Sequence, residues 1–330
     1  MAGRNGGNQS MRMRWALVTF AAALFGVCPV LVMAQEANDP GTGPDTRLSR
    51  HDFFYAGEAK QERMFIVRGG RIVWSYTSDR KGEISDAVLL PNGHILFAHQ
   101  FGVTEIDAKK DVVWNFDAPL HTEIHTVQPY GRDGVLFIEN GDPARVVVMD
   151  KKTGKVEHTF PLPVGDSHNI HPQFRRCRLT AKGTLLVAHM DLGKAVEYDM
   201  SGKPLWSVEA PGIWDAEPLR NGDVLISGNN SKYVREVNRK GETVWEFTAA
   251  DAPGLKMDNM QTATRLANGD TLITQWANEW DGTMDAAKAP IQAIEVTPAK
   301  KVVWVLRSWT PPAALGPSTT IQMLGSGSKR

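Results

Sequence analysis

The sequence has little cysteine, no net charge and only one long apolar run. Its 330 residues include two cysteines, and the 37 Lys and Arg residues equal the 37 Asp and Glu residues in number. A neutral chain offers no general electrostatic attraction, so we expect neither nucleic acid nor an acidic membrane as a partner. Neither a phosphate-binding glycine loop nor a nucleophile-elbow serine occurs. Any binding must therefore depend on a local site.

The single long apolar run, residues 15–33, follows Arg4, Arg12 and Arg14. A basic start, an apolar centre and small residues before the boundary are typical of a secretory signal. We therefore predict a signal peptide over 1–34 and a periplasmic or secreted protein. Pro29 interrupts the run and no stop-transfer charges follow, so no integral membrane span is expected after cleavage.

The segment after the predicted signal is short, polar and rich in proline and glycine. It covers residues 35–47 and is predicted to be a flexible linker. Cys177 is then the one cysteine left in the mature chain, which excludes an intramolecular disulfide. We expect Cys177 to be a small buried apolar residue, with stability coming from the core.

Two sequence phrases alternate along the rest of the chain. The first is a strand, a turn and a strand, as in LLPNGHILFA, and its five turns contain Gly93, Gly134, Gly183, Gly222 and Gly269. The second, as in EIDAKKDVVWNF, is another hairpin, and its outer strand carries Trp74, Trp114, His158, Trp206, Trp245 or Trp304. Two hairpins per repeat, at a period of about 40 to 60 residues, predict four-stranded propeller blades.

Six outer strands but only five inner hairpins indicate how the ring closes. Residues 51–76 supply three strands of a blade and lack the innermost one, and STTIQML at 318–324 matches the inner-strand phrase. The C-terminal strand is therefore predicted to complete the first blade, which leaves no open sheet edge at the seam. The fold class is all-β, a six-bladed β-propeller over residues 48–330, expected to be one domain and a monomer.

Alignment of the inner strands on their turns separates apolar from polar positions. One column is small or apolar throughout: Ala87, Val127, Cys177, Ala216, Ala263 and Ile321. The columns on either side are nearly all polar: Asp86, Thr126, Arg176, Asp215, Thr262 and Thr320, then Val88, Gln128, Arg178, Glu217, Thr264 and Gln322. Because strand side chains alternate between faces, the polar set is predicted to line a central channel. Arg176 and Arg178 should meet acidic residues there.

Loops that lead into the inner strands and loops that leave the second strands share one face of a propeller. Histidines, arginines and tryptophans concentrate in these loops, so we predict a binding site at that mouth of the channel. The predicted catalytic residues are His125 and His171. The predicted substrate-binding residues are Asp86, His99, Arg175, Arg176, His189, Trp214, Asp215, Gln261 and Trp276.

Three chemistries fit such a mouth, and the residues leave them open. His125, His171 and His189 could hold zinc or copper. A histidine could act as nucleophile or general base in group transfer or lysis of an anionic small molecule or saccharide, with Arg175 and Arg176 holding the charge. A sugar or aryl ligand could stack on a tryptophan. The alternative is a non-catalytic scaffold that binds protein or glycan, with an envelope protein as partner. No cofactor can be named.

The alternating phrases EIDAKKDVVWNF and LPNGHILFA resemble bacterial secreted propellers with PQQ-like repeats. They are also similar to the propeller of the periplasmic arylsulfate sulfotransferases. In that family a histidine at the channel mouth carries sulfate to a phenol, and LHTEIHTVQP makes His125 its nearest match. The chain lacks that family's extra N-terminal domain and much of its length. Six blades rather than eight also argue against a quinoprotein dehydrogenase.

Overall fold

The structure, a computed structural model, describes residues 48–58, 63–228, 232–257, 259–277, 290–311 and 313–325. The predicted signal peptide and linker lie outside these ranges. Within them, 24 strands form six four-stranded antiparallel sheets, and the only helix is the 3₁₀ turn Ala249–Asp251. None of the helical structure in the described ranges is long and apolar enough to span a membrane. The predicted all-β six-bladed propeller is confirmed.

Strands are numbered in chain order, and the strands of each blade are named from the innermost outward. The first blade contains β24 (Ser318–Met323), β1 (Phe53–Gly57), β2 (Arg63–Arg68) and β3 (Arg71–Thr77). The second contains β4 (Asp86–Leu89), β5 (Ile95–Ala98), β6 (Gly102–Ile106) and β7 (Val112–Asp117). The third contains β8 (Val127–Tyr130), β9 (Gly134–Glu139), β10 (Arg145–Asp150) and β11 (Val156–Pro161).

The remaining three blades follow the same order without interruption by the termini. The fourth contains β12 (Phe174–Leu179), β13 (Leu185–His189), β14 (Lys194–Tyr198) and β15 (Pro204–Glu209). The fifth contains β16 (Ile213–Pro218), β17 (Val224–Gly228), β18 (Tyr233–Val237) and β19 (Thr243–Thr248). The sixth contains β20 (Met260–Arg265), β21 (Thr271–Gln275), β22 (Ala293–Val296) and β23 (Val302–Leu306).

The turns between inner and second strands require a left-handed backbone conformation. Gly183 and Gly222 adopt it, with φ of 76° and 91°, which a residue with a Cβ would adopt only under strain. The third blade differs from the expectation. Gly134 is the first residue of β9, and Gly131, at φ 60°, takes the left-handed position instead. Residues 131–133 connect β8 and β9, whereas the five residues 90–94 connect β4 and β5.

The C-terminal strand closes the ring as predicted. β24 pairs antiparallel with β1, with Thr320 opposite Ala56 and Met323 opposite Phe53. Each inner strand also contacts the inner strands of both neighbouring blades, so the six form a continuous ring. Both ends of the described chain are therefore joined in one sheet, which satisfies backbone groups that an open edge would expose.

The side-chain alternation of the inner strands is also as predicted. Each member of the small apolar column lies in a different hydrophobic cluster between adjacent blades; Cys177, for example, packs with Phe174 and Leu136. Arg176 and Arg178 point the other way and line an axial cavity of about 40 Å³. This alternation positions the charged residues along the channel axis.

Candidate functional site

Three inner strands begin with a β-bulge that turns one side chain toward the mouth. The pairing register shifts between residues 174 and 176 of β12, 213 and 215 of β16, and 260 and 262 of β20. The bulged residues are Arg175, Trp214 and Gln261. A bulge commonly re-aims a side chain beside a functional site. Ser85 and His125 occupy the corresponding positions ahead of β4 and β8.

Arg175 is the centre of a connected group that we call the mouth cluster: Glu83, Glu123, His125, His171 and Arg175. Its Nη1 donates to Glu83 Oε1 at 2.8 Å and lies 2.6 Å from His125 Nδ1, while Nη2 lies 2.6 Å from His171 Nε2. The arginine is buried. Because a guanidinium can only donate, both facing imidazole nitrogens act as acceptors.

His125 lies between two carboxylates and has no exposed surface on its ring. Its Nε2 is 2.8 Å from Glu123 Oε2, and its Nδ1 is 2.9 Å from both Ser85 Oγ and Glu83 Oε1. Burial, together with the charge of Arg175, lowers the pKa of His125, and the hydrogen bonds to Glu123 and Glu83 oppose this effect. His125 is therefore a buried neutral ring that donates from Nε2 to Glu123 and accepts from Arg175 at Nδ1, and Arg175 links it to Glu83.

His171 is the accessible member of the mouth cluster. Its side chain is 48% exposed, and its Nδ1 lies 2.7 Å from Glu123 Oε2. Gln100 Nε2 donates to the other oxygen of Glu123 at 2.9 Å. Since Glu123 accepts at Nδ1 and Arg175 donates at Nε2, the ring carries its proton on Nδ1 and a lone pair on Nε2. The tautomer follows from these hydrogen-bond partners.

The acids of this region have pKa values shifted in opposite directions. Burial alone would raise the pKa of Glu83, but the His125 hydrogen bond and the Arg175 charge lower it. Burial also opposes the change at Glu123, whose pKa is lowered by hydrogen bonds with His125, His171 and Gln100. For Glu58, which follows β1, burial and the charge of Glu83 raise the pKa to about 7. Such separation of neighbouring carboxyl groups is typical of acid–base sites.

An aromatic stack extends from Arg175 across the mouth. The guanidinium lies 4.8 Å from the centre of the Trp214 ring, and Trp214 stacks on Trp276 with ring centres 6.1 Å apart. Trp276 also hydrogen-bonds the Glu58 carboxyl group. Trp214 is only 5% exposed and contacts the side chains of Arg175 and Trp276, which makes it a support for Arg175 rather than a free platform for a ligand.

Three mouth residues have the composition of a metal site. Potential ligand atoms of Glu83, His125 and His171 lie within 4.8 Å of one another. In the described part of the chain, His189 does not belong to this group, so the predicted set of three histidines is replaced by two histidines and a glutamate. The Arg175 guanidinium hydrogen-bonds all three residues. An ion at this position would have to displace it.

A second charged group, the axial cluster, lies deeper in the channel: Asp86, Arg176, Arg178, Asp215 and Glu217. Asp86 binds Arg176 Nη1 and Arg178 Nη1, each at 2.9 Å, and Arg178 Nε donates to Glu217 at 2.8 Å. Burial and the charge of Glu217 raise the pKa of Asp215 to about 7. The structure thus places Asp86, Arg176 and Asp215, predicted as substrate-binding residues, in this cluster and not at the mouth.

His99 and His189 are buried within the blades. The His189 ring packs 4.8 Å from Phe174 and its Nε2 is 2.9 Å from the Tyr198 hydroxyl, while His99 packs on Phe97. Burial lowers the pKa of both, that of His189 to about 4. Neither contacts the mouth cluster in the described residues. Gln261 is fully buried at its bulge.

Five residues predicted from the sequence meet at the mouth: His125, His171, Arg175, Trp214 and Trp276. The acids Glu83, Glu123 and Glu58 were not predicted. One signal was present: Glu83 and Glu123 each stand two residues before a bulge-equivalent position, Ser85 and His125, in adjacent repeats. An acidic residue at the same offset in two neighbouring blades indicates that both side chains face the mouth.

Comparison with known proteins identifies the repeat type. Residues 172–286, about a third of the chain, match the sequence profile of a family described as outer membrane protein assembly factor BamB, with PQQ-type repeats. No curated protein matches the sequence. Among solved structures, a protein of unknown function from Bacteroides caccae has a TM-score of 0.72 at 24% identity, over 83% of this chain and 99% of that one.

Two lyase structures share the fold at lower similarity. A streptogramin B lyase has a TM-score of 0.53 at 12% identity, over 77% of this chain and 82% of that one. An inactive virginiamycin B lyase from Staphylococcus aureus, solved with quinupristin, has a TM-score of 0.52 at 12% identity, over 78% and 86%. These likenesses show a β-propeller, and the profile match shows PQQ-like repeats over residues 172–286. At such identities they establish the fold alone.

Proposed function

We propose that the mouth cluster is the acid–base site of a secreted or periplasmic enzyme that cleaves a small molecule by elimination. His171 is the general base, Glu123 orients it and Glu58 is the general acid. The observation that supports this most strongly is the hydrogen-bond chain Glu123–His171–Arg175, which fixes the lone pair of a half-exposed imidazole on Nε2. A carboxylate that fixes the tautomer of a catalytic imidazole is a recurrent arrangement.

The proposed reaction needs only two proton transfers. His171 Nε2 removes a proton from the carbon adjacent to the one that bears the leaving group. The C–H electrons form a carbon–carbon double bond, the bond to the leaving oxygen breaks, and Glu58 protonates that oxygen. The substrate proton takes the place of the Arg175 N–H at His171 Nε2. Glu58 is suited to the acid role because its carboxyl group lies near Arg175 and His171 and keeps its proton to about pH 7.

The contacts favour lysis over sulfate transfer. A histidine nucleophile must reach its substrate, and His125, the nearest match to the sulfotransferase histidine, has a fully buried ring between two carboxylates. The arginines expected to hold an anion are already paired, Arg175 with Glu83 and Arg176 with Asp86. Fold similarity to a virginiamycin B lyase solved with quinupristin is compatible with elimination chemistry.

The test is a turnover assay on a panel that separates the reaction types. Quinupristin and simple lactones test elimination. A uronide-containing saccharide, whose cleavage by elimination gives an unsaturated product, tests elimination from a sugar. An aryl sulfate with a phenol acceptor tests group transfer. We expect turnover in an elimination class, and a loss of at least about 100-fold in His171→Gln, in line with the usual contribution of a general base. His158→Gln, an exposed histidine on β11, is the matched control.

Two results would contradict the proposal. One is turnover of the aryl sulfate that depends on His125 and not on His171. The other is full elimination activity in His171→Gln. A positive result also predicts that Glu123→Gln lowers kcat more than it raises KM, because Glu123 orients the base without touching the substrate.

A second candidate function is a non-catalytic envelope scaffold that binds another protein. It is favoured by the match of residues 172–286 to the assembly-factor family. Under this alternative, the double variant His125→Gln/His171→Gln would support outer-membrane assembly as well as the wild type does in a strain that lacks the gene. Elimination activity on the panel would then be absent from all variants.

A further inference from the structure

An apolar pocket of about 350 Å³ opens beside the mouth cluster. It is lined by the apolar residues Phe101, Ala118, Pro119, Leu120 and Ile170 and by the polar residues His121, Thr122 and Glu123. This volume is at the lower end of the range of small-molecule sites, and a mainly apolar lining with a few polar groups is typical of them. We call it the Leu120 pocket. None of the roles proposed above uses its apolar residues.

The loop that carries Leu120 is held in place at both ends. Ala118 N donates to Phe101 O at 2.8 Å, and Ile124 N donates to Gln100 O at 2.6 Å. Glu123 forms an isolated β-bridge with Asn140 of the next blade. These two backbone hydrogen bonds and the β-bridge hold the short segment, so its backbone presents the apolar side chains in a fixed position.

The exposure of the pocket's side chains is unusual for this protein. Leu120 is 85% exposed and Phe101 47% exposed. The other large exposed hydrophobic residues of the described chain all lie on outer strands of the blades: Val73, Val112, Val113, Val156, Leu205 and Val244. Leu120 and Phe101 are thus the two that lie at the mouth. A paired apolar exposure beside polar catalytic groups marks a binding site more often than isolated surface residues do.

The pocket and the proposed base share part of their structure. Glu123 lines the pocket and also accepts from His171 Nδ1, and Ile170 of the lining precedes His171 in the chain. A molecule with one end in the Leu120 pocket would therefore have its other end next to His171. The nearby charges do not favour an anion, since Arg175, the cation of the mouth cluster, faces the two ionised carboxylates of Glu83 and Glu123.

Resting on the proposed function, we propose that the Leu120 pocket is its specificity subsite and takes an uncharged aryl or branched aliphatic group of the substrate. The substrate class is then a neutral or cationic small molecule with a hydrophobic group near the bond that breaks. This replaces the anionic small molecule or saccharide expected from the sequence. The free energy of binding comes from apolar area removed from water at Leu120 and Phe101.

The experiment is a fluorescence titration with N-phenyl-1-naphthylamine, an uncharged probe that brightens in apolar surroundings. Leu120→Ser and Phe101→Ser should each weaken probe binding by about tenfold, the effect of losing part of one buried apolar side chain. Leu205→Ser is the matched control, because Leu205 is an exposed leucine on outer strand β15. It should bind the probe as the wild type does. The anionic analogue 1-anilinonaphthalene-8-sulfonate should bind more weakly than the uncharged probe.

Equal probe affinities in Leu120→Ser, Phe101→Ser and Leu205→Ser would overturn the inference, as would tighter binding of the anionic analogue. His171→Gln separates this inference from the proposed function, since it should keep probe binding and lose only turnover. Leucine-dependent probe binding without turnover of any compound would retain the pocket and reject the catalytic role. Turnover that needs His171 but is unaffected by Leu120→Ser would retain the catalytic role and reject the pocket as the specificity subsite.

Discussion

The mouth cluster and the axial cluster both include arginines of the inner strand β12, and they differ in what surrounds them. Arg175 of β12 belongs to the mouth cluster, whereas Arg176 and Arg178 belong to the axial cluster. The axial cluster encloses about 40 Å³, room for little more than water, and its charged groups face one another. The mouth cluster adjoins a pocket of about 350 Å³ and contains a half-exposed histidine. Charge density alone therefore does not identify a site; the space beside it does.

The arginines of both clusters are paired with carboxylates, so the difference that we use is access. Asp86 binds two arginines, a threonine hydroxyl and the Val127 amide, all inside the ring of inner strands. This arrangement ties the second, third and fourth blades together across the axis. In the mouth cluster, hydrogen bonds with Glu123 and Arg175 fix the ring of His171, but its side chain remains half-exposed to solvent. We therefore assign structure to the axial cluster, and the proposed chemistry belongs to the mouth cluster.

The largest expected effect on stability follows removal of the axial carboxylate. Asp86→Ala leaves two buried guanidinium groups without their shared partner, and we expect a loss of about 3–5 kcal/mol in the free energy of unfolding. Urea denaturation measures it. Glu209→Ala is the control, because Glu209 is 80% exposed in a 3.9 Å pair with Lys194 and should cost less than about 1 kcal/mol. A loss in Asp86→Ala as small as in the control would refute the structural role.

A smaller loss should follow removal of the mouth arginine. Arg175→Met takes a charged hydrogen bond from Glu83, but Ser85 and His125 remain as its partners, so we expect about 2 kcal/mol. Glu83 has a lowered pKa, so its contribution is present above the unfolded pKa and is lost as pH falls through the folded one. The variant should therefore lose part of its acid-dependent stability. If Arg175→Met loses as much free energy of unfolding as Asp86→Ala, the mouth cluster stabilises the fold as strongly as the axial cluster, which contradicts the division between them.

The third expected effect is a change in pH dependence at the axis rather than a loss of stability at a single pH. Asp215 has a pKa raised from 3.8 to about 7 by burial and by Glu217, so the folded protein keeps a proton that the unfolded chain releases. Its stabilising contribution is complete below about pH 4 and declines as pH rises through about 7. Asp215→Asn should remove that decline, so its unfolding midpoint should fall less than that of the wild type between about pH 5 and about pH 8. Parallel curves would contradict this assignment.

The ring, its closure and the alternation of the inner strands could all be predicted from the sequence, because each depends on local periodicity. Cys177 between blades and Arg176 toward the axis follow from strand geometry. The bulges on β12, β16 and β20 are not visible in a periodic pattern, yet they decide that Arg175 and Trp214 face the mouth. The blade and strand of each site residue could therefore be predicted, but whether its side chain faces the mouth or the axis could not.

The histidines show the same limit. His99 and His189 end second strands in equivalent repeats, which suggested a shared mouth, but packing on Phe97 and Phe174 holds both rings within the blades. His125 and His171 were both predicted at the mouth, and their ring centres lie 5.0 Å apart. The Glu123 carboxylate that joins them is a long-range pairing partner of His171, 48 residues away in sequence, which a single sequence cannot reveal.

The most direct test of the division between the two clusters measures unfolding midpoint and turnover side by side in Asp86→Asn and His171→Gln. We predict that Asp86→Asn unfolds at lower urea while the molecules that remain folded turn over substrate at the wild-type rate. We predict the opposite for His171→Gln, an unchanged midpoint with turnover lost. If His171→Gln falls in stability as far as Asp86→Asn, or if both variants keep full turnover, the mouth cluster is structural and the assignment of chemistry to it is wrong.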